Sequence, residues 1–185
     1  VVSAVLFHRF YEFYGRLTRL FALVAGIIFF LIMVVVTVNA VARSFFDMPI
    51  EGTLEVTEIM MPFAIMFPMA FTQARGAHIR VTLIVGRLSP AVGRLSYSVA
   101  LLLGACFFAW ATWATAGTAL RSYALNEHAY TGKLAIPIYP GKIAIAFSLL
   151  LLSIQFLLDH MRVGWLRAYG KHDELGEDQE YGAFQ

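Results

Sequence analysis

Leu20 to Ala42 reads LFALVAGIIFFLIMVVVTVNAVA and holds no charged side chain. A helix crossing about 30 Å of hydrocarbon needs about 20 such residues, each rising 1.5 Å. This stretch alone predicts a membrane-spanning helix. It is too long for the apolar core of a secretory leader, so it is expected to be retained. The rest of the composition agrees. The 185 residues are 59% hydrophobic and 14% charged, against about 45–50% and about 25% in water-soluble domains. A chain of this size has too much surface for its volume to hide that excess in one core. The net charge is only +2, with Lys and Arg scattered, which disfavours nucleic acid as a partner. Cys106 is alone, so there is no disulfide framework.

Three further uncharged runs follow. Ser96–Leu120 is long enough to span by itself. Ile59–Ala74 and Ile143–Leu158 are shorter, and each must extend over a charged neighbour. The first reaches back to about Thr53 and takes in Glu55 and Glu58. The second reaches back to about Ile136, with Lys142 snorkelling from the first turn and Pro137 and Pro140 at or near the helix start. Pro62 and Pro68 are expected to kink the second span. The predicted fold is an all-α membrane protein with four transmembrane helices, at about 20–43, 53–74, 96–120 and 136–159, plus short interfacial amphipathic helices. Orientation follows from Lys and Arg. Arg9, Arg16, Arg19, Arg75, Arg80, Arg87, Arg94, Arg162, Arg167 and Lys171 fall on one side; Arg43, Arg121, Lys133 and Lys142 fall on the other. That bias predicts both termini in the cytoplasm, with outward loops near 44–52 and 121–135.

Residues 1–19 form an N-terminal segment whose Phe7, Phe10, Tyr14 and Leu17 recur at helical spacing, with Arg9, Glu12, Arg16 and Arg19 off that stripe. Two readings stand: a helix lying in the membrane interface, or a plain extension of span one. Residues 79–88, IRVTLIVGRL, are too short to span and are expected to lie flat on the membrane or under the bundle. The four-helix unit closes near 160. The tail 161–185 ends in an acidic run, Asp173 to Glu180, and is expected to be partly disordered and solvated.

Polar chemistry gathers at the outward ends of spans one and two. Glu51, Glu55 and Glu58 are spaced i, i+4, i+7, and Asn39 and Arg43 are spaced i, i+4. A short connection makes these helices antiparallel neighbours, level enough for an Arg43–Glu55 ion pair and an Asn39–Glu58 hydrogen bond. A charge at bilayer depth costs about 2.5–3.5 kcal/mol on insertion scales, so such groups tend to face protein. The simpler reading is that Glu55 only caps its helix in headgroup water.

Enzymatic chemistry is not in view. Bound haem would need His at bilayer depth, and His8, His78, His128, His160 and His172 all fall in tails, loops or helix ends. There is no Cys pair, no metal-ligand spacing and no phosphate loop. No catalytic, cofactor or metal residues are assigned, and no cofactor is expected. A complete secondary transporter would need broken helices in inverted repeats, and no repeat is visible. A self-contained channel would need a polar stripe. What remains is a helical subunit that packs on something larger. Span three offers bulky Phe107, Phe108, Trp110 and Trp113 beside small Gly104, Ala105, Ala109 and Gly117.

Three stretches carry a resemblance: NAVARSFFDMPIEGTLEVTEIMMPF across the first outward loop, QARGAHIRVTLIVGRLSP after span two, and TGKLAIPIYPGKIAIAFSLLLLSIQFL leading into span four. Together, over roughly residues 20–160, they resemble the small membrane subunit of tripartite ATP-independent periplasmic (TRAP) transporters. The most specific piece is RGAHIRV, with Arg75, Gly76 and His78. Next come Asn39 and Arg43 followed by Glu55 and Glu58. The family often has a Trp and adjacent acids at the start of span two, whereas here the acids are split.

The resemblance implies a multi-pass protein of the bacterial or archaeal inner membrane. It implies a large membrane subunit that holds the sodium and substrate sites and moves like an elevator. It also implies a periplasmic binding protein that delivers an organic acid, and uptake driven by sodium. The small subunit is then a fixed scaffold, with Asn39, Arg43, Glu55 and Glu58 as polar residues of the subunit interface. Asp47, Glu51, Arg121, Glu127, His128 and Lys133 lie in the outward loops, where a salt-sensitive contact with the binding protein is expected. Membrane lipids are further partners: Arg75, Arg80, Arg87 and Arg94 either hold anionic headgroups or only set topology. The rival is a haem-free, non-catalytic anchor subunit of a respiratory or redox complex.

Overall fold

The computed structural model describes residues 2–75, 90–129 and 136–168. Helix α1 runs from Val2 to Phe46, α2 from Thr53 to Met66, α3 from Met69 to Ala74, α4 from Pro90 to Ala124 and α5 from Tyr139 to Ala168. Two short strands, β1 (His128–Ala129) and β2 (Ile136–Pro137), pair antiparallel between α4 and α5. Four helical stretches are long and apolar enough to cross a membrane: Arg9–Phe46, Thr53–Ala74, Leu95–Ala124 and Tyr139–Val163. Of the two readings of the N-terminal segment, the unbroken helix is the one observed: residues 2–46 form one helix. The 79–88 segment and the tail from 169 lie outside the described residues.

Prolines set the local breaks. Pro62 sits inside α2, while Pro68 stands at the start of α3 after a turn at Phe67–Pro68. Pro68 has no N–H to continue the ladder, so the second span is two helices in series. The fourth span starts later than its sequence suggests. Ile136 and Pro137 pair with Ala129 and His128, and the Ile138 N–H donates to the Glu127 carbonyl at 3.2 Å. Pro137 therefore belongs to a strand, and Pro140 occupies the first turn of α5, where its missing N–H is harmless.

Helix α5 is the centre of the packing, against α4, α2 and α3, while α1 lies along α2 and α3. Tyr14, Ala70, Leu151 and Leu158 form the core, flanked by Tyr11, Phe21 and Ile154. The Phe21 ring meets Phe67 and Phe147 edge-on, at 5.0 and 5.5 Å. Gly104 lets α4 approach α5 so closely that a Cβ there would stand 2.9 Å from the Phe156 ring. Close approach at a small residue is how helices gain dispersion contact in lipid.

Candidate functional site

Among the described residues, hydrogen-bonded polar side chains gather at the rim formed by the 47–52 connection, at the 125–138 connection and near the opposite end of the bundle. At the rim, α1 ends with Asp47 in the left-handed region (φ 53°), which Asp tolerates better than most residues. The chain doubles back, and the Ile50 N–H donates to Asn39 Oδ1 at 2.8 Å. Gly52, at φ 84°, then starts α2 in a conformation that favours glycine. Asn39 thus serves the connection and does not reach Glu58, which is exposed. The Arg43–Glu55 ion pair is likewise not formed. Arg43 is exposed, while Glu55 is 4% exposed in the first turn of α2. There its charge meets the positive end of the helix dipole. Equal helical spacing set Glu55 and Glu58 on one face; the neighbouring helices cover only the first. Asp47 and Glu51 are exposed on the connection itself.

The second place was not legible as a unit. Asn126 takes a left-handed conformation (φ 49°) just past α4. Its N–H donates to the Tyr123 carbonyl at 3.1 Å, and the Glu127 N–H donates to the Ser122 carbonyl at 3.0 Å. That is a Schellman closure, and it folds Glu127 back over the last turn of α4. The buried Ser122 hydroxyl donates to Glu127 Oε2. Lys142 Nζ, from the first turn of α5, reaches the same oxygen at 2.8 Å and Ser122 Oγ at 2.5 Å. The Lys142 ammonium first, then the Ser122 hydroxyl, hold the Glu127 carboxyl below its usual range. Lys142 is therefore not simply snorkelling to water, and Glu127 is engaged within its own chain. Arg121 is exposed in the last turn of α4. Lys133 lies outside the described residues.

At the opposite end, Asp159 accepts from Gln73 Nε2 at 3.0 Å and from Gln155 Nε2 at 2.8 Å, one bond to each carboxylate oxygen. Both glutamines are buried. One ring nitrogen of His160, Nδ1, lies 3.0 Å from the Ser98 carbonyl and 3.2 Å from its hydroxyl. The Tyr14 hydroxyl donates to the Leu151 carbonyl, and the Ser153 hydroxyl to the Ala105 carbonyl at 2.9 Å. These contacts tie α1, α3, α4 and α5 together. The signal that points to them is the i, i+4 spacing of Gln155 and Asp159 at the end of a span. Arg75 lies beside, its guanidinium 5.3 Å from the Phe71 ring. Gly76 and His78 lie outside the described residues. Among the described residues, no group of three or more His, Cys, Asp and Glu could hold a metal ion. The arrangement offers chemistry for holding helices to one another.

The family model for "Tripartite ATP-independent periplasmic transporters, DctQ component" matches residues 32–164. The match covers the residues of all three polar places except Tyr14, and it leaves out Arg9, Arg16 and Arg19. No curated protein and no solved structure matches the chain.

Proposed function

From the premise that this chain belongs to the DctQ family, the small membrane components of TRAP transporters, we propose that it is the scaffold subunit of a sodium-driven importer of organic acids. Its setting is the inner membrane, which it crosses more than once. In this reading both termini face the cytoplasm, and the 47–52 and 125–138 connections face the periplasm. A large membrane subunit carries sodium and substrate, and a binding protein delivers the acid from outside. The family match carries the reading.

The physical side supports a holding role. An elevator-type carrier needs one part to stand still while another slides. The hydrogen bonds from Tyr14, Gln73, Ser153 and His160 join four helices that would otherwise slip in lipid. Each such bond contributes about 0.6 kcal/mol on average within a membrane, so their value lies in number and placement. Asn39 and Glu55 shape the outward rim, with Arg43 and Glu58 exposed on it for a partner subunit. Asp47, Glu51 and Arg121 are the groups offered to the binding protein; Glu127 acts there by holding the hairpin. The Arg75 motif, with Gly76 and His78, serves the cytoplasmic side.

Co-purification from native membranes tests the reading. The chain should bring down a large multi-span partner. Vesicles holding both should take up an organic acid only with binding protein and an inward sodium gradient. Uptake that ignores sodium would refute the coupling, and a chain purifying without such a partner would refute the scaffold role. A haem-free respiratory anchor, the other reading, is not favoured by the family match.

A further inference from the structure

The first turns of α1 carry a feature that the holding role does not use. Arg9, Phe13, Arg16, Leu20, Leu23 and Ile27 follow one another at alternating four- and three-residue steps, and all are exposed. That spacing makes one continuous ridge along a helix. Arg19 is exposed at its flank. The opposite face holds Tyr14, Thr18 and Ala25, all buried. Two contacts fix that face to α5. The Arg162 guanidinium lies 5.8 Å from the Tyr11 ring, and the Tyr14 hydroxyl bonds the Leu151 carbonyl.

These contacts also set the depth. Tyr11 stands beside Arg162, at the charged end of α5. Phe21 stands beside Phe147, within the uncharged run 143–158. Arg16 and Arg19 fall between these levels, about 8 and 12 Å past Tyr11 toward the hydrocarbon. Arginine side chains on a helix lean back toward its N-terminus, so both guanidinium groups can reach the headgroup–acyl boundary. Phe13, Leu20 and Leu23 around them are apolar and exposed. Among the described residues none gives Arg9, Arg16 or Arg19 a hydrogen bond or an ion pair. Glu12, exposed on the same side of the helix, lies about a turn nearer the water than Arg16; the two deeper arginines, among apolar side chains, face a layer whose anions carry acyl chains.

We infer that this ridge binds an anionic phospholipid. Arg16 and Arg19, one helical turn apart, grip the phosphate. Arg9 adds attraction from nearer the water. The acyl chains run along Leu20, Leu23 and Ile27. The site lies outside the matched family range and needs only the membrane location, so it stands or falls apart from sodium-driven uptake.

Native mass spectrometry of the detergent-purified full chain, titrated with phosphatidylglycerol or phosphatidylcholine, tests it. The expected result is about a thirtyfold preference for phosphatidylglycerol, as two arginines near a headgroup, at about 1 kcal/mol each, would give. The R16Q/R19Q variant should lose that preference. R16K/R19K should keep most of it, and so should R121Q, at the far end of α4. Unchanged helical circular dichroism in all variants secures the comparison. Equal retention of the two lipids by the natural chain would overturn the inference, as would a preference that survives R16Q/R19Q. So would arginines that become protected from phenylglyoxal only when the large subunit is added, which would give the ridge to an acidic protein surface instead.

Discussion

Helices α1 and α5 are both apolar enough to span a bilayer, yet they are buried very differently. Inside this chain 6% of the most apolar window of α1 is buried, against 39% for α5. Hydrophobicity therefore does not choose the core of a membrane bundle; lipid tails satisfy an apolar side chain as well as a neighbouring helix does. Shape and polarity choose it. Helix α5 interleaves Ala144, Ala146, Ser148, Ser153 and Gln155, all buried, with Leu151, Leu152 and Leu158. Small residues admit neighbours, and Ser153 bonds to one of them at the Ala105 carbonyl of α4. Helix α1 is filled between Leu23 and Val41 with Val, Ile and Phe, which keep other backbones at a distance, and most of them are exposed.

Equal truncations should break the symmetry between the two helices most sharply. Leu152→Ala removes a side chain that is 1% exposed and leaves a cavity; about 2–5 kcal/mol of stability should be lost. Leu31→Ala, at a site 44% exposed, should change stability by less than about 1 kcal/mol. Unfolding of both variants in one detergent measures the gap, and equal losses would erase the distinction. Glycines sharpen it further. Gly104→Ala drives a methyl into the Phe156 ring and should cost about 1–3 kcal/mol. Gly26→Ala, in α1, meets nothing within 4 Å and should gain up to about 1 kcal/mol from helix propensity. Thermal midpoints of the pair give the sign of each.

The smallest effect concerns the connection between α4 and α5. The Glu127 carboxyl is held below its usual range by Lys142 and Ser122. A group with a lowered folded-state pKa contributes stability above its unfolded value and loses it as pH falls through the folded one. The hairpin should therefore loosen only below the ordinary carboxylate range. Glu127→Gln should loosen it at neutral pH and abolish that acid step. Hydrogen exchange of the Ile138 amide, which donates to the Glu127 carbonyl, reads both effects. Because the pair is exposed, bundle stability itself should hardly move.

The helices were legible because uncharged length and proline position are local properties. Thr53 was readable as the start of the second span, and Pro68 as its break. Partners were harder to read because they depend on turns. Asn39 was matched by level with Glu58, but the left-handed Asp47 brings the Ile50 amide to it first. Lys142 was read as a snorkelling cation, since nothing adjacent in sequence says that Asn126 will fold Glu127 back toward it. Nothing in the sequence singles out Asp159, because Gln73 comes from another helix 86 positions away.

The turn at Phe67–Pro68 makes the second span an articulated strut. Its upper rod, α2, rests on α1 and α5, and its lower rod, α3, is pinned to α5 through Gln73 and Asp159. The rim end and the pinned end are thus held by separate sets of contacts, with the helical ladder of the second span interrupted between them.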